Sequence, residues 1–178
     1  ETRMSTLYKV IVTGPFNSGK TAFIGAISDI AVVTTERKIT TEDRGIKAET
    51  TVAMDYGRVE LDGKILHLNG TPGQARFDFM WEILAREMNG FIVLVDSTDP
   101  VSFPDAADLI RLFSGFHAVP YLVAATKTDL PGAVSLAELR RRINPGDVTV
   151  MPCVATQKTS VRQVLLQIID LIDRRRGG

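Results

Sequence analysis

The sequence has little of what would mark a secreted, membrane-spanning or nucleic-acid-binding protein. It contains one cysteine, Cys153, so no internal disulfide can form, and this favours a reducing compartment such as the cytoplasm. No apolar run approaches the ~20 residues that span a bilayer. Lys plus Arg and Asp plus Glu both number 21, so the net charge of zero gives no case for binding nucleic acid. What remains is the composition of an ordinary globular protein.

Apolar runs of strand length alternate with segments of helical spacing. Four runs predict buried strands, at 7–14, 91–98, 120–129 and 148–156. Two more strands flank Asp62-Gly63, a strong hairpin signal. The predicted helical segments are 20–30, 74–90, 101–118, 135–143 and 160–176. The polar, threonine-rich segment 32–51 has no period and is interpreted as a long loop.

This order of elements predicts an α/β fold in a single domain, residues 1–178, with a core of about 7–175. We expect a mostly parallel six-stranded sheet with one antiparallel edge strand and helices on both faces. Ser135 and Glu138 form a capping box at the start of one helix. Cys153 is predicted to be a small buried core residue rather than a reactive thiol.

The stretch "GPFNSGKT" (14–21) fits the phosphate-loop pattern G-x-x-x-x-G-K-[ST], between a predicted strand and a predicted helix. Glycines allow the backbone to approach a ligand, and successive amides with a helix start attract an anion. Lys20 adds a full positive charge, and Thr21 offers a hydroxyl to Mg²⁺. The predicted nucleotide-binding residues of this loop are Gly14, Asn17, Ser18, Gly19, Lys20, Thr21 and Ala22.

A second motif, "TKTD" (126–129), follows a buried strand and suggests which base is bound. The Asp129 carboxylate can accept hydrogen bonds from the N1–H and 2-amino groups of guanine. Adenine lacks both donors and would leave the carboxylate unpaired. The stem of Lys127 could lie along the base ring. The two motifs together predict a guanine nucleotide.

The motifs "GPFNSGKT", "TVAMDYG", "GTPGQARF", "TKTD" and "VAT", in this order, resemble the five motifs of Ras-like small GTPases. The resemblance spans roughly residues 7 to 175 and looks closest to the prokaryotic branch akin to MglA-type and Arf-like GTPases. It implies the P-loop NTPase fold of a small G domain. It also implies a molecular switch that binds GTP or GDP with Mg²⁺ and hydrolyses GTP slowly.

The resemblance carries further roles onto this chain. Thr126 stands where relatives usually have asparagine; it keeps an oxygen but lacks the amide, which leaves its contact with the phosphate loop open. Ala155 matches the alanine whose backbone N–H meets the guanine O6, with Thr156 beside it. Thr51, with Thr50 as the fallback, matches the first-switch threonine that binds Mg²⁺ and closes over the γ-phosphate.

The second-switch motif supplies the catalytic group in the family. Gly73 would donate its N–H to the γ-phosphate, and Gln74 would orient the attacking water. The aromatic residues that follow, Phe77, Phe79 and Trp81, are either core or a nucleotide-sensitive surface for a partner.

Two positions depart from the family. Gly70 stands where relatives carry the magnesium-side aspartate, and Asn69 beside it would point to the opposite face of its strand. Phe16 replaces a glycine and could crowd an arginine inserted by a partner. Three arginines near the switches, Arg37, Arg44 and Arg76, could serve as internal fingers, although exposed solvated arginines are the better interpretation. His67 and His117 lack metal-ligand spacing, and structural roles are expected.

Three functions remain open on the sequence. The first is a slow GTPase switch that binds effector or regulatory proteins through its switch regions; the resemblance implies roadblock-type partners. The second is a module that holds GTP or GDP without useful turnover, which the departures at Gly70 and Phe16 would favour. The third is a P-loop enzyme that uses ATP. The sequence does not indicate an oligomeric state.

Overall fold

The computed structural model describes residues 6–71, 78–116 and 119–177. Within these ranges the strands are β1 (Thr6–Thr13), β2 (Val33–Asp43), β3 (Ile46–Leu61), β4 (Lys64–Gly70), β5 (Gly90–Asp96), β6 (Tyr121–Thr126) and β7 (Val150–Cys153). The helices are α1 (Lys20–Ile27), α2 (Asp78–Glu87), α3 (Phe103–Ser114), α4 (Leu136–Ile143) and α5 (Lys158–Arg176). A 3₁₀ turn, Pro100–Ser102, precedes α3.

The strands of the described chain form one sheet in the order β2-β3-β4-β1-β5-β6-β7. Pairing is parallel from β4 through β1, β5 and β6 to β7. β3 is antiparallel to both of its neighbours, β2 and β4. The predicted α/β fold, with a mostly parallel sheet, is confirmed, and it carries one strand more than the six expected.

The extra strand arises because the interpretation of 32–51 as a loop is wrong. β2 and β3 pair along their whole facing length, and a two-residue turn, Arg44-Gly45, joins them with φ of 51° and 78°. Two positive φ angles are typical of the tight turns that join hairpin strands. Threonine favours strands, and the alternation becomes visible only where Val52 and Met54 enter the core. Upstream of them the hairpin is polar, which hid its period.

Alternating side chains of the sheet divide the core between two faces. On one face, α1 and α5 cover residues that include Val10, Val12, Leu66, Leu68, Ile92 and Leu94. On the other face, α2, α3 and α4 cover residues that include Ile11, Val52, Met54, Phe91, Val93 and Val95. Helices therefore flank both faces, as predicted. Among the described helices, none is both long and apolar enough to cross a membrane.

Several local predictions are confirmed. Asp62 and Gly63 form the turn between β3 and β4, with φ of 51° and 74°. The Ser135 hydroxyl caps α4 by accepting the Glu138 backbone N–H at 3.1 Å. Cys153 is buried, and burial raises the pKa of its thiol to about 11, so it stays protonated at neutral pH. It is a core residue.

Close packing of α1 on β3 leads to a test of the fold. A Cβ added at Gly57 would lie 2.5 Å from Ile24 Cγ2 and 3.0 Å from Ser28 Oγ, so Gly57→Ala should destabilise the protein by about 1–3 kcal/mol. The matched control is Gly25→Ala on α1, where nothing lies within 4 Å. Because alanine favours helices, this change should stabilise by up to about 1 kcal/mol. Urea unfolding of both variants measures the difference, and equal effects would contradict the packing.

Candidate functional site

The loop between β1 and α1 adopts a backbone that glycine makes possible. Gly14 has φ of 150° and Gly19 has φ of 105°. A Cβ at Gly14 would lie 2.3 Å from the Leu94 carbonyl oxygen, so only glycine fits there. Gly19 is the N-cap of α1 and has no side chain with which to cap the helix, and no acidic residue lies in the first turn of α1. The first amides of α1 are therefore left for an anion.

One of the successive backbone amides that are expected to attract an anion is already engaged. The Ser18 N–H donates to the Pro15 carbonyl at 3.1 Å. The Ser18 hydroxyl is buried beneath the loop, and the described residues give it no hydrogen-bond partner. The amides of Lys20, Thr21 and Ala22 lie in the first turn of α1, where the helix has no carbonyl to offer them. These three are the best placed to hold an anion.

The Lys20 ammonium is held over the loop. It donates to the carbonyl oxygens of Gly14 at 2.8 Å and Pro15 at 3.0 Å. Burial lowers its pKa to about 8, and the negative charge of Asp55 partly opposes this shift. A bound anion would favour the charged form of Lys20 and restore its pKa toward the ordinary value.

A cavity of about 580 Å³ opens in front of this loop. This volume is typical of small-molecule sites. Its walls come from the phosphate loop, the β2–β3 hairpin, the end of β4 and the loop after β6. The lining residues are Phe16, Asn17, Gly19, Lys20, Thr21, Ala22, Thr34, Ala53, Asp55, Gly70, Thr71 and Lys127. The cavity therefore lies at the carboxyl ends of the parallel strands, where ligands of such sheets bind.

The loop after β6 is fastened to the phosphate loop. The Thr126 hydroxyl donates to the Ser18 carbonyl at 2.7 Å. Thr126 therefore contacts the phosphate loop through its hydroxyl, although it lacks the amide of the asparagine that relatives usually have. Lys127, with φ of 58°, donates from Nζ to the Asn17 carbonyl at 3.1 Å. A Cβ added at Gly19 would lie 3.5 Å from Ala155 Cβ. Three of the five sequence motifs thus meet at one point.

Asp96, which the sequence analysis missed, holds Lys127 in place. Its Oδ2 accepts from Lys127 Nζ at 2.6 Å, and its Oδ1 accepts from Thr98. Burial alone would raise the pKa of Asp96, but the hydrogen bonds from Lys127 and Thr98 hold it below its ordinary value. The only signal in the sequence is an acidic residue that ends an otherwise apolar strand, "FIVLVD".

The predicted base-side residues follow two neighbouring strands. Asp129 is exposed in the turn after β6, and Ala155 and Thr156 lie in the turn after β7. Because β6 and β7 pair in parallel, with Thr126 opposite Cys153, both turns emerge at the same edge of the sheet. Ala155 is buried, whereas Thr156 is exposed.

The first-switch residue lies away from the cavity. Thr51 is exposed on β3, opposite Lys38, and it shares a face with Ala53 and Asp55, which line the cavity. It lies two residues, about 7 Å along the strand, beyond Ala53. Arg44 lies in the turn at the far end of the hairpin. It is exposed there, as expected for a solvated arginine.

The remaining second-switch predictions lie outside the described part of the chain. Gly73, Gln74, Arg76 and Phe77 are outside the described residues, and so is His117. The side chains of Arg37, Thr50, Phe79 and Trp81 are likewise outside what the structure describes. His67 is half-buried and meets the Tyr56 ring edge-on at 5.4 Å between centroids, which fits its expected structural role.

A second residue, Asp55, to which the sequence alone gave no role at the site, lies beside Thr21. The Thr21 hydroxyl donates to Asp55 Oδ2 at 2.8 Å, and the Thr34 hydroxyl lies 3.4 Å from Asp55 Oδ1. Asp55 is the β3 partner of Gly70, and Asn69 pairs instead with Tyr56. Asn69 is therefore on the opposite face from Gly70, as predicted.

Two comparisons place the chain among sequence relatives. Residues 29–173 match the model of a family described as "Conserved hypothetical ATP binding protein". This match begins after the phosphate loop. An uncharacterised protein of Methanocaldococcus jannaschii is 33% identical over 138 residues, which cover 77% of this chain and 80% of that protein.

Other relatives carry names from the small GTPases. The mutual gliding-motility protein MglA of Myxococcus xanthus is 24% identical over 96% of this chain and 93% of its own. ADP-ribosylation factor-related protein 1 of Rattus norvegicus is 23% identical over 94% of this chain and 86% of its own length. The solved structure of the Arl6 small GTPase of Trypanosoma brucei, with bound nucleotide analogue GppNp, matches with a TM-score of 0.73 at 20% identity, covering 96% of this chain and 99% of that one. The chain therefore belongs to the family of conserved hypothetical ATP binding proteins and, by its motifs, fold and relatives, to the Ras-like small GTPases of the MglA and Arf-like branch.

Proposed function

We propose that the protein binds GTP and GDP with magnesium in this cavity, hydrolyses GTP slowly to GDP and phosphate, and changes its affinity for partners accordingly. The observation that carries the proposal is the junction between the two ligand-binding loops. Thr126 and Lys127 donate to the carbonyls of Ser18 and Asn17. One ligand whose phosphates lie on the phosphate loop would therefore have its base beside the loop that carries Asp129.

At the phosphate end, the Lys20 ammonium and the first amides of α1 hold the negative charge. The residues around Thr21 also fit a magnesium ion, because the hydroxyls of Thr21 and Thr34 and the carboxylate of Asp55 are oxygen groups gathered in one cavity. When bound, the ion would neutralise charge on the phosphates. Thr21 is the residue best placed to hold it.

At the base end, Asp129 selects guanine over adenine by the hydrogen bonds described above. The family description names ATP instead, so an ATP-binding protein is the second candidate. The two differ in one physical respect. Guanine offers the Asp129 carboxylate two donors, whereas adenine offers none and leaves it unpaired.

The proposal of hydrolysis rests on the resemblance. It implies that Gln74 orients the attacking water and that the Gly73 N–H donates to the γ-phosphate. Thr51 does not line the cavity and lies two residues, about 7 Å along the strand, beyond Ala53, so in this proposal the β2–β3 hairpin moves to bring Thr51 over that phosphate. The hairpin is therefore the element through which the nucleotide would change partner affinity. A module without useful hydrolysis is the alternative, favoured by Gly70 and by Phe16, which lines the cavity with 78% of its surface exposed.

Partners follow from the same proposal. We expect effector or regulatory proteins to bind near the hairpin and the second switch, and roadblock-type proteins remain a prediction from the resemblance. A cytoplasmic location remains a prediction from the single cysteine.

Base selection can be tested by calorimetry on nucleotide-free protein with magnesium. GDP should bind far more tightly than ADP. Asp129→Asn should weaken GDP by roughly 10–100-fold because it removes a charged acceptor, and it should leave ADP unchanged. Asp147→Asn, at an exposed carboxylate in another turn, is the matched control. Equal affinities for GDP and ADP would contradict the selection of guanine by Asp129.

The Lys20 charge predicts a pH dependence of binding. Because its pKa in the free protein is about 8 and an anion favours the protonated form, GDP affinity should be level below pH 8 and fall above it. The fall should approach about tenfold per pH unit. Titrations between pH 7 and 9 measure it. Lys20→Met should bind GDP more weakly, and its affinity should not change between pH 7 and 9. If the affinity of this variant still fell with pH, a group other than Lys20 would cause the pH dependence.

The switch and the non-hydrolysing module differ in single-turnover hydrolysis. With GTP bound, Gln74→Leu should slow phosphate release by roughly 10–100-fold, because the attacking water loses its orientation. GDP affinity should not change. If the wild-type protein and the variant release phosphate at the same rate, the protein is the module.

A further inference from the structure

A second cavity, of about 370 Å³, lies between α3 and α4. Apolar residues of the 3₁₀ turn and of α3 form its floor, and charged residues of α3 and α4 form its rim. None of its lining residues lines the nucleotide cavity, and none belongs to the β2–β3 hairpin. This cavity, the α3–α4 groove, is therefore separate from the surfaces to which the proposed function assigns the nucleotide and the switch.

The floor of the groove is a stripe of apolar side chains. Phe103 and Ala107 lie one turn apart on α3 and are buried, whereas Pro100 and Pro104 beside them are exposed. Val101, next to Pro100, has 88% of its surface exposed. Covering this apolar surface with another apolar side chain would remove it from water, which is favourable.

The rim on α4 carries positive charge that no carboxylate balances. The Arg142 guanidinium lies over the Phe103 ring, with Cζ 5.8 Å from the ring centroid, and its Nε donates to Glu138 Oε1 at 2.8 Å. Arg141 donates to both oxygens of the same carboxylate. Hydrogen bonds from Arg141 and then Arg142 lower the pKa of Glu138 to about 2, so Glu138 supplies one negative charge and no more. Two guanidinium groups share that charge, and one positive charge is left over.

The two sides of the groove differ in charge. α4 carries three arginines against one glutamate, so its net charge is +2. The third of these arginines, Arg140, donates to two backbone carbonyls, which do not neutralise it. On the α3 side, Arg111 is paired with Asp108, and Asp105 gives that helix a net charge of −1. A partner that fits is therefore acidic where it faces α4 and apolar where it faces the floor.

We propose that the α3–α4 groove is a docking site for an acidic segment of a partner protein. An apolar side chain of the segment covers Phe103 and Ala107, and a carboxylate beside it binds Arg142. Within the described chain, the Nη groups of Arg142 have no hydrogen-bond acceptor, and a guanidinium presents them in a geometry that matches a carboxylate. The docking site goes beyond the proposed function and does not rest on it.

The test uses two synthetic peptides and isotope-labelled protein followed by NMR. One peptide has two leucines between runs of glutamate, and its counterpart has lysines in place of the glutamates. The glutamate peptide should shift the backbone amide signals of the floor and of the end of α4. The lysine peptide should shift none of them, because the net positive charge of α4 repels it.

Variants locate the binding on the groove. Arg142→Glu reverses the charge on the rim and should weaken binding of the glutamate peptide by at least about tenfold. The matched control is Arg174→Glu on α5, because Arg174 pairs with Asp170 four residues earlier, as Arg142 pairs with Glu138. It should bind the peptide as the wild-type protein does. Pro104→Glu places a carboxylate on the floor, where the first turn of α3 tolerates it, and should also weaken binding.

Several results would overturn the docking site. These are equal weakening by Arg142→Glu and Arg174→Glu, equal binding of the two peptides, and no shift of the groove signals. If the same signals shifted with protein concentration alone, and Arg142→Glu stopped this, a second copy of the chain would cover the groove in place of an acidic partner. GDP affinity should be unchanged in every variant, so failure of the docking site is distinguishable from failure of the proposed function.

Discussion

The site depends on how the phosphate loop is held from behind. In a trans peptide the carbonyl and the following N–H point in opposite directions. Thr126 draws the Ser18 carbonyl toward itself, so the Gly19 N–H is turned away from β6. Lys127 holds the Asn17 carbonyl in the same way, and the N–H that follows it, of Ser18, donates to the Pro15 carbonyl and closes the turn. An anion-binding loop needs its amides gathered on one side, and these two side chains supply the opposing anchors. Without these two contacts, the glycines that permit this backbone conformation would equally permit other conformations.

The anchors are themselves fixed by a buried charge. Lys127 has a positive φ, which is uncommon for a residue with a side chain, so neighbouring contacts must hold it there. Its ammonium pairs with Asp96, of which only 5% is exposed. A buried carboxylate without a partner would be costly, so Asp96 requires Lys127 as much as Lys127 requires Asp96. The opposite wall of the cavity is different in kind, because it is the edge hairpin β2–β3, which is largely polar in sequence and exposed at the side chains that the structure describes upstream of Val52.

Sequence reasoning recovered what local pattern encodes and missed what strand pairing creates. The phosphate loop, the buried strands, the Asp62-Gly63 turn and the Ser135 cap each depend on residues close in sequence. β2 was missed because strand-favouring threonines exposed to solvent leave no apolar period. Asp55 and Asp96 gained their roles from partners 34 and 31 residues away. A carboxylate in a sequence does not show which hydroxyl or ammonium the fold will bring to it.

The position of Asp55 also determines which strand is tied to the start of α1. A carboxylate at residue 70 would belong to β4, which is paired on both sides within the sheet. A carboxylate at residue 55 belongs to β3, whose far half pairs with the edge strand β2 alone. If β3 slid by two residues, Ala53 or Gly57 would take the place of Asp55, and Thr21 would lose its acceptor. The register of the hairpin therefore decides whether the Thr21 hydroxyl keeps its hydrogen bond to β3, because Asp55 is the residue of β3 that accepts it.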